Sequence, residues 1–423
     1  MEKLTARILT VGDELLVGQI LDTNASYLAA ELTRIGITVT HTLTVGDNQE
    51  AIETAIQDCM RQCSLTLVTG GLGPTVDDLT REAVAAMIGS TLKKNPSVLT
   101  SVERHFASLG RSVPIGSERV AMVPLGFEIL PNPKGTAPGL WYMSEYGNAI
   151  VLLPGVPHEM KAIFSDYVSP RIIQMEGRAS IAQRTLKVAG IGETVVQGKI
   201  ETILHLLDPG LTIAYLPGAY GVRIRLTIRG ADAEKRLDKT EKTIRNSFGP
   251  AIFGRDEDTL ESVLGTLLSS QKKTIAIAES CTGGLVLNHL TNVPGSSSYV
   301  LGGVVAYSNL IKQRQLDVRE ETLNQFGAVS EPVAIQMATG VRARFGSDLG
   351  LSVTGIAGPD GGTVEKPVGL VWIAYADDCG AWAVKHLFGM DRHRNKQKSA
   401  LAVLDLARQT LLKSSSFTHL NQT

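Results

Sequence analysis

The sequence predicts an α/β protein of three domains, and three observations carry that expectation. Short apolar runs break into glycine-rich turns and feed amphipathic helices near both ends of the chain, at Ala6 to Val11 and again at Thr274 to Ala278. A smaller stretch between them, about Gln183 to Gly254, mixes alternating strands with one charged helix. The length of 423 residues allows two or three domains, and 43% hydrophobic content is ordinary for packed cores. The expected divisions are 1–170, 183–254 and 258–413.

Charge narrows the classes. Lys and Arg number 41 against 42 Asp and Glu, so no global field advertises nucleic acid or a membrane surface. A cationic-then-apolar leader and a bilayer-length apolar run are both missing from the pattern, which reads as a cytoplasmic protein. Cys59, Cys63, Cys281 and Cys379 make neither a CxxC nor a disulfide-dense framework. Cys59 and Cys63, one helical turn apart, read as partly buried thiols.

In the first domain a strand, Ala6 to Val11, closes in Gly12-Asp13-Glu14. A helix follows with Thr23 or Asn24 as N-cap and Leu28, Leu32 and Ile35 on one face. A second strand ends in Val45-Gly46-Asp47, and the next helix aligns Ile52, Ile56 and Met60. The strand Leu65 to Thr69 breaks into Gly70-Gly71-Leu72-Gly73-Pro74-Thr75 before a helix expected to carry Asp77 and Asp78. This alternation argues a parallel sheet with ligands beyond the carboxyl ends of its strands. Acids stand at those ends: Asp13 and Glu14, then Asp47, then Asp77 with Asp78. Carboxylates beside an N–H-lined glycine loop suit a divalent cation with a pyrophosphate. They equally suit a tight turn whose acids favour a helix dipole. The loop is not a Walker loop, because no Gly-Lys-Ser/Thr follows.

A hinge is expected around Ser169 to Ala182, where Pro170 and Glu176-Gly177-Arg178 interrupt periodicity. In the middle stretch Val222 to Arg229 alternates apolar and basic or polar residues, with Arg223, Arg225 and Arg229 on one face. Such a face suits an anion or an RNA backbone. The loop Gly190-Ile191-Gly192-Glu193 carries an acid where phosphates would pass, which argues against RNA clamping and for a structural or dimer-forming spacer.

The third domain enters through Asp258-Thr259-Leu260-Glu261, read as a capping arrangement of Asp and Glu. The following helix shows Leu260, Val263, Leu264, Leu267 and Leu268 as one stripe. Thr274 to Ala278 reads as a buried strand, which stops in Glu279-Ser280-Cys281-Thr282-Gly283-Gly284 and feeds a helix from Leu285 to Leu290. Unpaired N–H groups in such a turn favour negative charge and suit the oxyanion of acyl transfer at Ser280. A second run, Gly302 to Tyr307, leads through Ser308-Asn309 to Lys312, an amine placed to lose hydration and act as base. The plain alternatives stay open: Ser280 as a helix cap and Lys312 on a solvated face. Cys281 is the rival nucleophile. Beyond a helix capped by Ser330 and a strand from Leu349 to Thr354, Gly355 to Gly362 reads as an irregular loop. Strands Val368 to Ala376 and Ala381 to Phe388 precede Arg392, Arg394, Lys396 and Lys398, placed ahead of the last helix. Those cations suit a 5′-phosphate or a solvated basic face. The Ser-rich tail after Lys413 is expected to fray.

Two resemblances sharpen this. Ala278-Glu279-Ser280-Cys281-Thr282-Gly283-Gly284, Gly303 to Asn309 with Lys312, Gly327 to Glu331, Thr354 to Pro359 and Lys366 to Gly369 together resemble the nicotinamide-nucleotide amidase family. The first-domain glycine loop with Asp77 and Asp78 resembles the molybdenum-cofactor-biosynthesis (MoaB/MogA-type) fold. So do Asn132, Gly135-Thr136-Ala137-Pro138-Gly139 and Leu153 to Glu159, including His158, which reads as a ligand or as a capping residue. Leu72 stands where pterin-binding members carry Thr, which points with the attached third domain to the CinA-type (competence/damage-inducible) branch. The middle stretch is similar to a KH module. The resemblance thus implies a MoaB/MogA-like α/β domain, a small α+β KH-like domain and an α/β amidase domain.

It also implies functions. Ser280 is then the nucleophile and Lys312 its base, with Tyr307 assisting. Cys281, Thr282, Gly283, Gly284, Asn309, Thr354, Gly355, Gly358 and Arg392 surround the substrate. The reaction is deamidation of nicotinamide mononucleotide, with no cofactor. In the first domain Gly70, Gly71, Gly73, Thr75, Asn132, Gly135 and Thr136 hold a nucleotide. There Asp47, Asp77 and Asp78 hold Mg²⁺ or Co²⁺ for an ADP-ribose pyrophosphatase activity. A homodimer is implied as well. The competing reading is a non-catalytic nucleotide- or pterin-binding protein, or a partner-recruiting one, in competence and DNA uptake.

Overall fold

The computed structural model describes residues 4–176 and 181–420, with side chains described except at 176 and from 414 onward. Contacts divide it into two compact units, one reaching Ile181 with Arg229–Ala231, the other holding the middle and third segments together.

The first unit opens with β1 (Thr5–Val11), α1 (Asp13–Leu16), α2 (Thr23–Arg34), β2 (Thr38–Val45), α3 (Gln49–Gln62) and β3 (Leu65–Thr69). Next come α4 (Thr80–Met87), β4 (Leu92–Lys94), α5 (Pro96–Ser108), β5 (Met122–Pro124), β6 (Glu128–Leu130), β7 (Gly139–Met143) and β8 (Ala149–Leu153). The unit ends in α6 (Pro157–Ile163) and α7 (Ser169–Glu176). Its six-stranded sheet has the order β2-β1-β3-β8-β7-β6. β1, β2, β3 and β8 run parallel, whereas β6 and β7 join antiparallel, so the sheet is mixed where alternation alone predicts a parallel one. Apolar side chains fill both faces: Leu28, Leu32 and Phe164 on one, Ile52, Ile56 and Val84 on the other. Burial of both faces is what a sheet of continuous β-branched and leucine runs demands.

Two local expectations shift here. The α2 cap is Asp22, whose carboxylate accepts the Ala25 N–H at 2.8 Å, in place of Thr23 or Asn24. Asp77 and Asp78 sit in the loop ahead of α4. The Asp78 carboxylate accepts the N–H groups of Gly73 (2.8 Å) and Thr75 (2.9 Å) and so staples that loop before the helix can begin. The expected hinge is helical through Glu176 as α7, and residues 177–180 of it lie outside the described residues.

The second unit begins with β9 (Ile181–Ala189), α8 (Glu193–Ile203), β10 (Thr212–Gly218), β11 (Gly221–Arg229), α9 (Ala233–Phe248) and β12 (Ile252–Arg255). These strands form a sheet in the order β10-β11-β9-β12. The alternation of β11 holds, with Val222, Ile224, Leu226 and Ile228 buried. Then follow α10 (Leu260–Ser270), β13 (Ile275–Glu279), α11 (Leu285–Thr291), β14 (Val300–Val305), α12 (Asn309–Leu316), α13 (Glu320–Phe326) and α14 (Glu331–Phe345). The chain closes with β15 (Leu349–Gly355), β16 (Leu370–Ala376), β17 (Ala381–Leu387) and α15 (Arg392–Leu420). The five-stranded sheet has the order β14-β13-β15-β16-β17. β13 lies between β14 and β15, parallel to both, so its carboxyl end opens at the middle of the sheet.

Three more expectations are revised. α10 is capped by Thr259 with Ser262 in a reciprocal capping box, and Asp258 and Glu261 take no part in it. Arg392, Arg394, Lys396 and Lys398 stand within α15, whose start is set by the Asp391 carboxylate accepting the Arg394 N–H at 2.7 Å. The backbone after Lys413 stays helical to Leu420.

Candidate active site

Ser280 follows the last residue of β13 and sits in the turn that leads to α11. A strand of Ile and Ala with no polar side chain before Glu279 buries fully, which fixes this turn against the sheet. The Ser280 N–H donates to the Val353 carbonyl of β15 at 2.9 Å. Lys312 reaches the same place from α12. Ser308 caps that helix by accepting the Ile311 N–H at 3.3 Å, and the lysine lies in its first turns pointing inward.

The two side chains meet: Lys312 Nζ lies 3.0 Å from Ser280 Oγ. The same nitrogen donates to the Ala306 carbonyl at 2.7 Å. Lys312 is 1% exposed and Ser280 8%. Burial pushes the Lys312 amine down to about 8, since a charge loses hydration there without a carboxylate to replace it. Cys281, beside the serine, is driven the other way by burial, up to about 12.

A residue that the sequence reading passed over organises the turn. Glu279 is fully buried, and its carboxylate accepts the N–H groups of Gly284 (2.9 Å), Val286 (3.2 Å) and Leu287 (2.9 Å). The positive end of α11 is therefore answered by this acid, not left for a ligand. Gly283 donates to the Ser280 carbonyl. Of the N–H groups from Cys281 to Gly284 proposed for an oxyanion, those of Gly283 and Gly284 are thus engaged, leaving Cys281 and Thr282. An acid ending a strand just before a small-residue turn was the available signal.

The remaining expected residues divide. Arg392 donates to the Gly358 carbonyl at 2.6 Å and to the Tyr307 hydroxyl at 3.2 Å, so α15, the glycine loop and the β14–α12 connection converge. Tyr307 itself is 63% exposed, held at the rim. Lys396 adds a second cation near Gly283. Thr282 is buried with a hydroxyl that takes no partner among the described residues. Asn309 is exposed on the first turn of α12. Thr354 spends its hydroxyl on the Ala328 carbonyl at 2.8 Å, and a Cβ at Gly355 would press on Val371. Both lie at the carboxyl end of β15, the middle strand of the sheet.

In the first unit a cavity of about 500 Å³ is lined by Asp47, Gly70, Gly71, Gly73, Asp77, Asp78 and Thr136, with Glu14 and Glu159 also present. Gly70 needs its glycine: at φ 108° a Cβ would meet the Val11 carbonyl oxygen at 2.2 Å. Thr75, Asn132 and Gly135 are not among its lining residues. Thr75 bonds Asp78, and Asn132 donates to the Ala137 carbonyl (2.8 Å) and to Glu159 (2.6 Å). His158 is exposed on α6. Asp47, Asp77 and Asp78 do not form a close donor cluster. Asp78 is committed to its loop, and the one group of three mutually close metal-type donors among the described residues is Asp377, Asp378 and Cys379. Asp47, Asp77 and Asp78 are thus not a preformed metal cage. Asp47 is held above the usual carboxylate range by burial and by the nearby Asp13, Glu14 and Asp77.

Comparison with known proteins agrees with this architecture. The family described as "CinA C-terminal domain" matches residues 257–411, "Probable molybdopterin binding domain" matches 7–174, and "Damage-inducible protein CinA KH domain" matches 183–254. A CinA-like protein of Salinibacter ruber is 47% identical over 96% of this chain and 100% of its own length. One from Gloeothece citriformis is 41% identical over 97% and 99%. A crystal structure of CinA, of unknown function, from Thermoplasma acidophilum shares 32% identity, covering 40% of this chain and 98% of its own, with a TM-score of 0.37. With matching domains in the same order and relatives similar from end to end, this chain belongs to the CinA family.

Proposed function

We propose that the third domain is an amidohydrolase that converts nicotinamide mononucleotide to nicotinate mononucleotide and ammonia. The observation that carries the reading is the 3.0 Å contact between two buried groups, Lys312 Nζ and Ser280 Oγ. A serine needs a base, and an amine without charge is one.

In this mechanism neutral Lys312 takes the Ser280 proton as Oγ attacks the carboxamide carbon. The N–H groups of Cys281 and Thr282 face the oxyanion. Lys312 then passes its proton to the amide nitrogen, the C–N bond breaks and ammonia leaves an ester on Ser280. Water attacks the ester, giving a proton to Lys312, and collapse returns that proton to Ser280 Oγ as the acid is released. Arg392 and Lys396 suit the 5′-phosphate. The test is ammonia release from nicotinamide mononucleotide by the full chain beside Lys312→Ala. Equal rates in the two proteins, or none in the first, reject the reading.

For the first domain the reading is a site for a nucleotide pyrophosphate of the ADP-ribose class, supported by its acid- and glycine-lined cavity. No metal-assisted step follows from the carboxylate geometry described above. Hydrolysis of ADP-ribose by the full chain, titrated with Mg²⁺ or Co²⁺, tests it. The subunits are expected to pair, which light scattering on the full chain measures.

A further inference from the structure

The second unit holds a second recess, away from Ser280. Two adjoining cavities of about 380 and 460 Å³ share Pro217, Gly218, Ala219 and Lys398 in their walls. Ser280, Lys312, Tyr307 and Arg392 border neither of them. The turn between β10 and β11 forms one side, and the start of α15 with the end of β17 forms the other.

The walls are fixed in place. Gly190 donates its N–H to the Tyr220 carbonyl at 3.1 Å, and a Cβ at Gly221 would fall 1.9 Å from the Val188 oxygen. Tyr220 packs against the core of the third domain, and burial raises its phenol. Opposite, Asn395 donates to the Ala357 and Gly389 carbonyls at 2.9 and 2.8 Å, which sets the azimuth of α15.

The chemistry differs from end to end. Arg394 and Lys398 form no ion pair among the described residues, and His393 and Gln397 stand beside them. Lys398 Nζ lies 5.9 Å over the Phe388 ring, and Phe388 stacks on His386 with centroids 5.3 Å apart and planes 14° apart. The far end carries Glu193 and the Gly190-Ile191-Gly192 backbone. Unpaired cations attract a phosphate, a flat ring pair attracts a base, and a carboxylate accepts from ribose hydroxyls. The volumes fall in the range of small-molecule sites.

We infer that this recess binds a nucleoside 5′-monophosphate, its phosphate at Arg394 and Lys398 and its nucleoside running past His386 and Phe388 toward Glu193. The site is separate from the proposed amidase centre and stands or falls without it. Because its two walls come from the middle and third segments, it gives the KH-like segment a ligand role beyond spacing. An RNA backbone is the less suited occupant, since Glu193 would face a following phosphate.

The experiment uses the full chain with AMP as probe, followed by calorimetry and by hydrogen exchange. Saturable binding is expected, with protection at 190–193, 217–222 and 386–398, and with inorganic phosphate and adenosine each binding more weakly. Arg394→Gln and Lys398→Gln, both on the solvent side of α15, are expected to weaken AMP about tenfold each. Phe388→Leu, which keeps an apolar side chain, is expected to weaken adenosine and AMP alike. Protection confined to the Ser280 turn or to the first-domain glycine loop overturns the inference. Phosphate binding as tightly as AMP, or AMP affinity unchanged in the charge variants, does the same.

Discussion

Lys312 Nζ is 3.0 Å from Ser280 Oγ and 2.7 Å from the Ala306 carbonyl oxygen, and the two contacts ask different things of one amine. A carbonyl can only accept, so Lys312 donates to Ala306 in either protonation state. The serine hydroxyl can donate or accept. When the amine is neutral, its lone pair is free to face the hydroxyl while an N–H stays on Ala306. The carbonyl thus orients the base without neutralising it, as a carboxylate partner would not.

Activity should therefore rise with pH. The Lys312 amine is held near 8 by burial, so kcat/KM for nicotinamide mononucleotide is expected to climb about tenfold per unit below that pH and level off above it. Stability follows the same sign. The folded value lies below the free value of 10.5, so the unfolded chain binds more protons between those limits. The fold then gains stability as pH rises from about 8 toward 10.5. Lys312→Met, which removes the titration, should flatten that gain in urea unfolding. An activity profile flat from pH 6 to 9 counts against the assignment.

The serine, not its neighbour, should carry turnover. Cys281 is buried and pushed up to about 12, so its thiol stays protonated at neutral pH and the thiolate that attacks is scarce. Ser280→Ala is expected to lower kcat by at least about 10³-fold, and Cys281→Ala to stay within about threefold. The opposite pattern in ammonia release would transfer the nucleophile to Cys281.

Glu279 should prove a positioning residue whose loss is felt in stability first. Its carboxylate is the acceptor for three N–H groups at the start of α11. Glu279→Ala leaves those donors buried without partners and is expected to cost roughly 2–4 kcal/mol in denaturant unfolding. Glu279→Gln, which keeps one acceptor oxygen, should cost less. A cost near zero for both would mean that the turn holds itself.

Arg392 should govern KM more than kcat. It ties the Gly358 carbonyl to the Tyr307 hydroxyl, and its remaining donors suit a phosphate. Arg392→Ala is expected to raise KM for nicotinamide mononucleotide about tenfold, and to change little for nicotinamide riboside, which lacks the phosphate. Equal effects on both substrates would assign the residue to loop architecture alone.

Where the sequence was legible, the chemistry was local. A buried strand ending in small residues announces its own turn, so Ser280 could be placed at it, while its pairing with Lys312 was implied by the resemblance to the amidase family and not by local pattern. Glu279 was not legible in that way, because its role depends on the carboxylate folding back under a helix that begins six residues later. Asp78 misled for a related reason. An acid near a helix start reads as a first-turn residue, yet here it closes a loop onto Gly73 and Thr75. The antiparallel edge of the first sheet, β6 and β7, lies in a stretch where proline and glycine obscure the period, and its pairing is a long-range matter. The basic start of α15 was visible as composition. Only the fold shows that it splits, with Arg392 toward Tyr307 and Arg394 with Lys398 toward the β10–β11 turn.

That same helix also reaches the middle segment, and a buried ion pair tests how tightly. Arg408 and Asp405 are 1% and 2% exposed and paired at 2.6 Å. Arg408 also donates to the Pro250 carbonyl, at 2.7 Å, across to the middle segment. Taking Asp405 away strands a guanidinium in a dry site, and breaking such a pair costs about 3–5 kcal/mol, far more than an exposed pair is worth. Asp405→Ala is therefore expected to lower the urea midpoint of the full chain sharply. Replacing both partners by apolar residues, Asp405→Leu with Arg408→Met, should recover most of the loss, since no lone charge remains. Recovery should also leave the Pro250 carbonyl without its donor, so limited proteolysis is expected to cut between the middle and third segments faster than in the native chain. If the double variant stays as unstable as Asp405→Ala, the pair acts through the Pro250 bond and not through its charge.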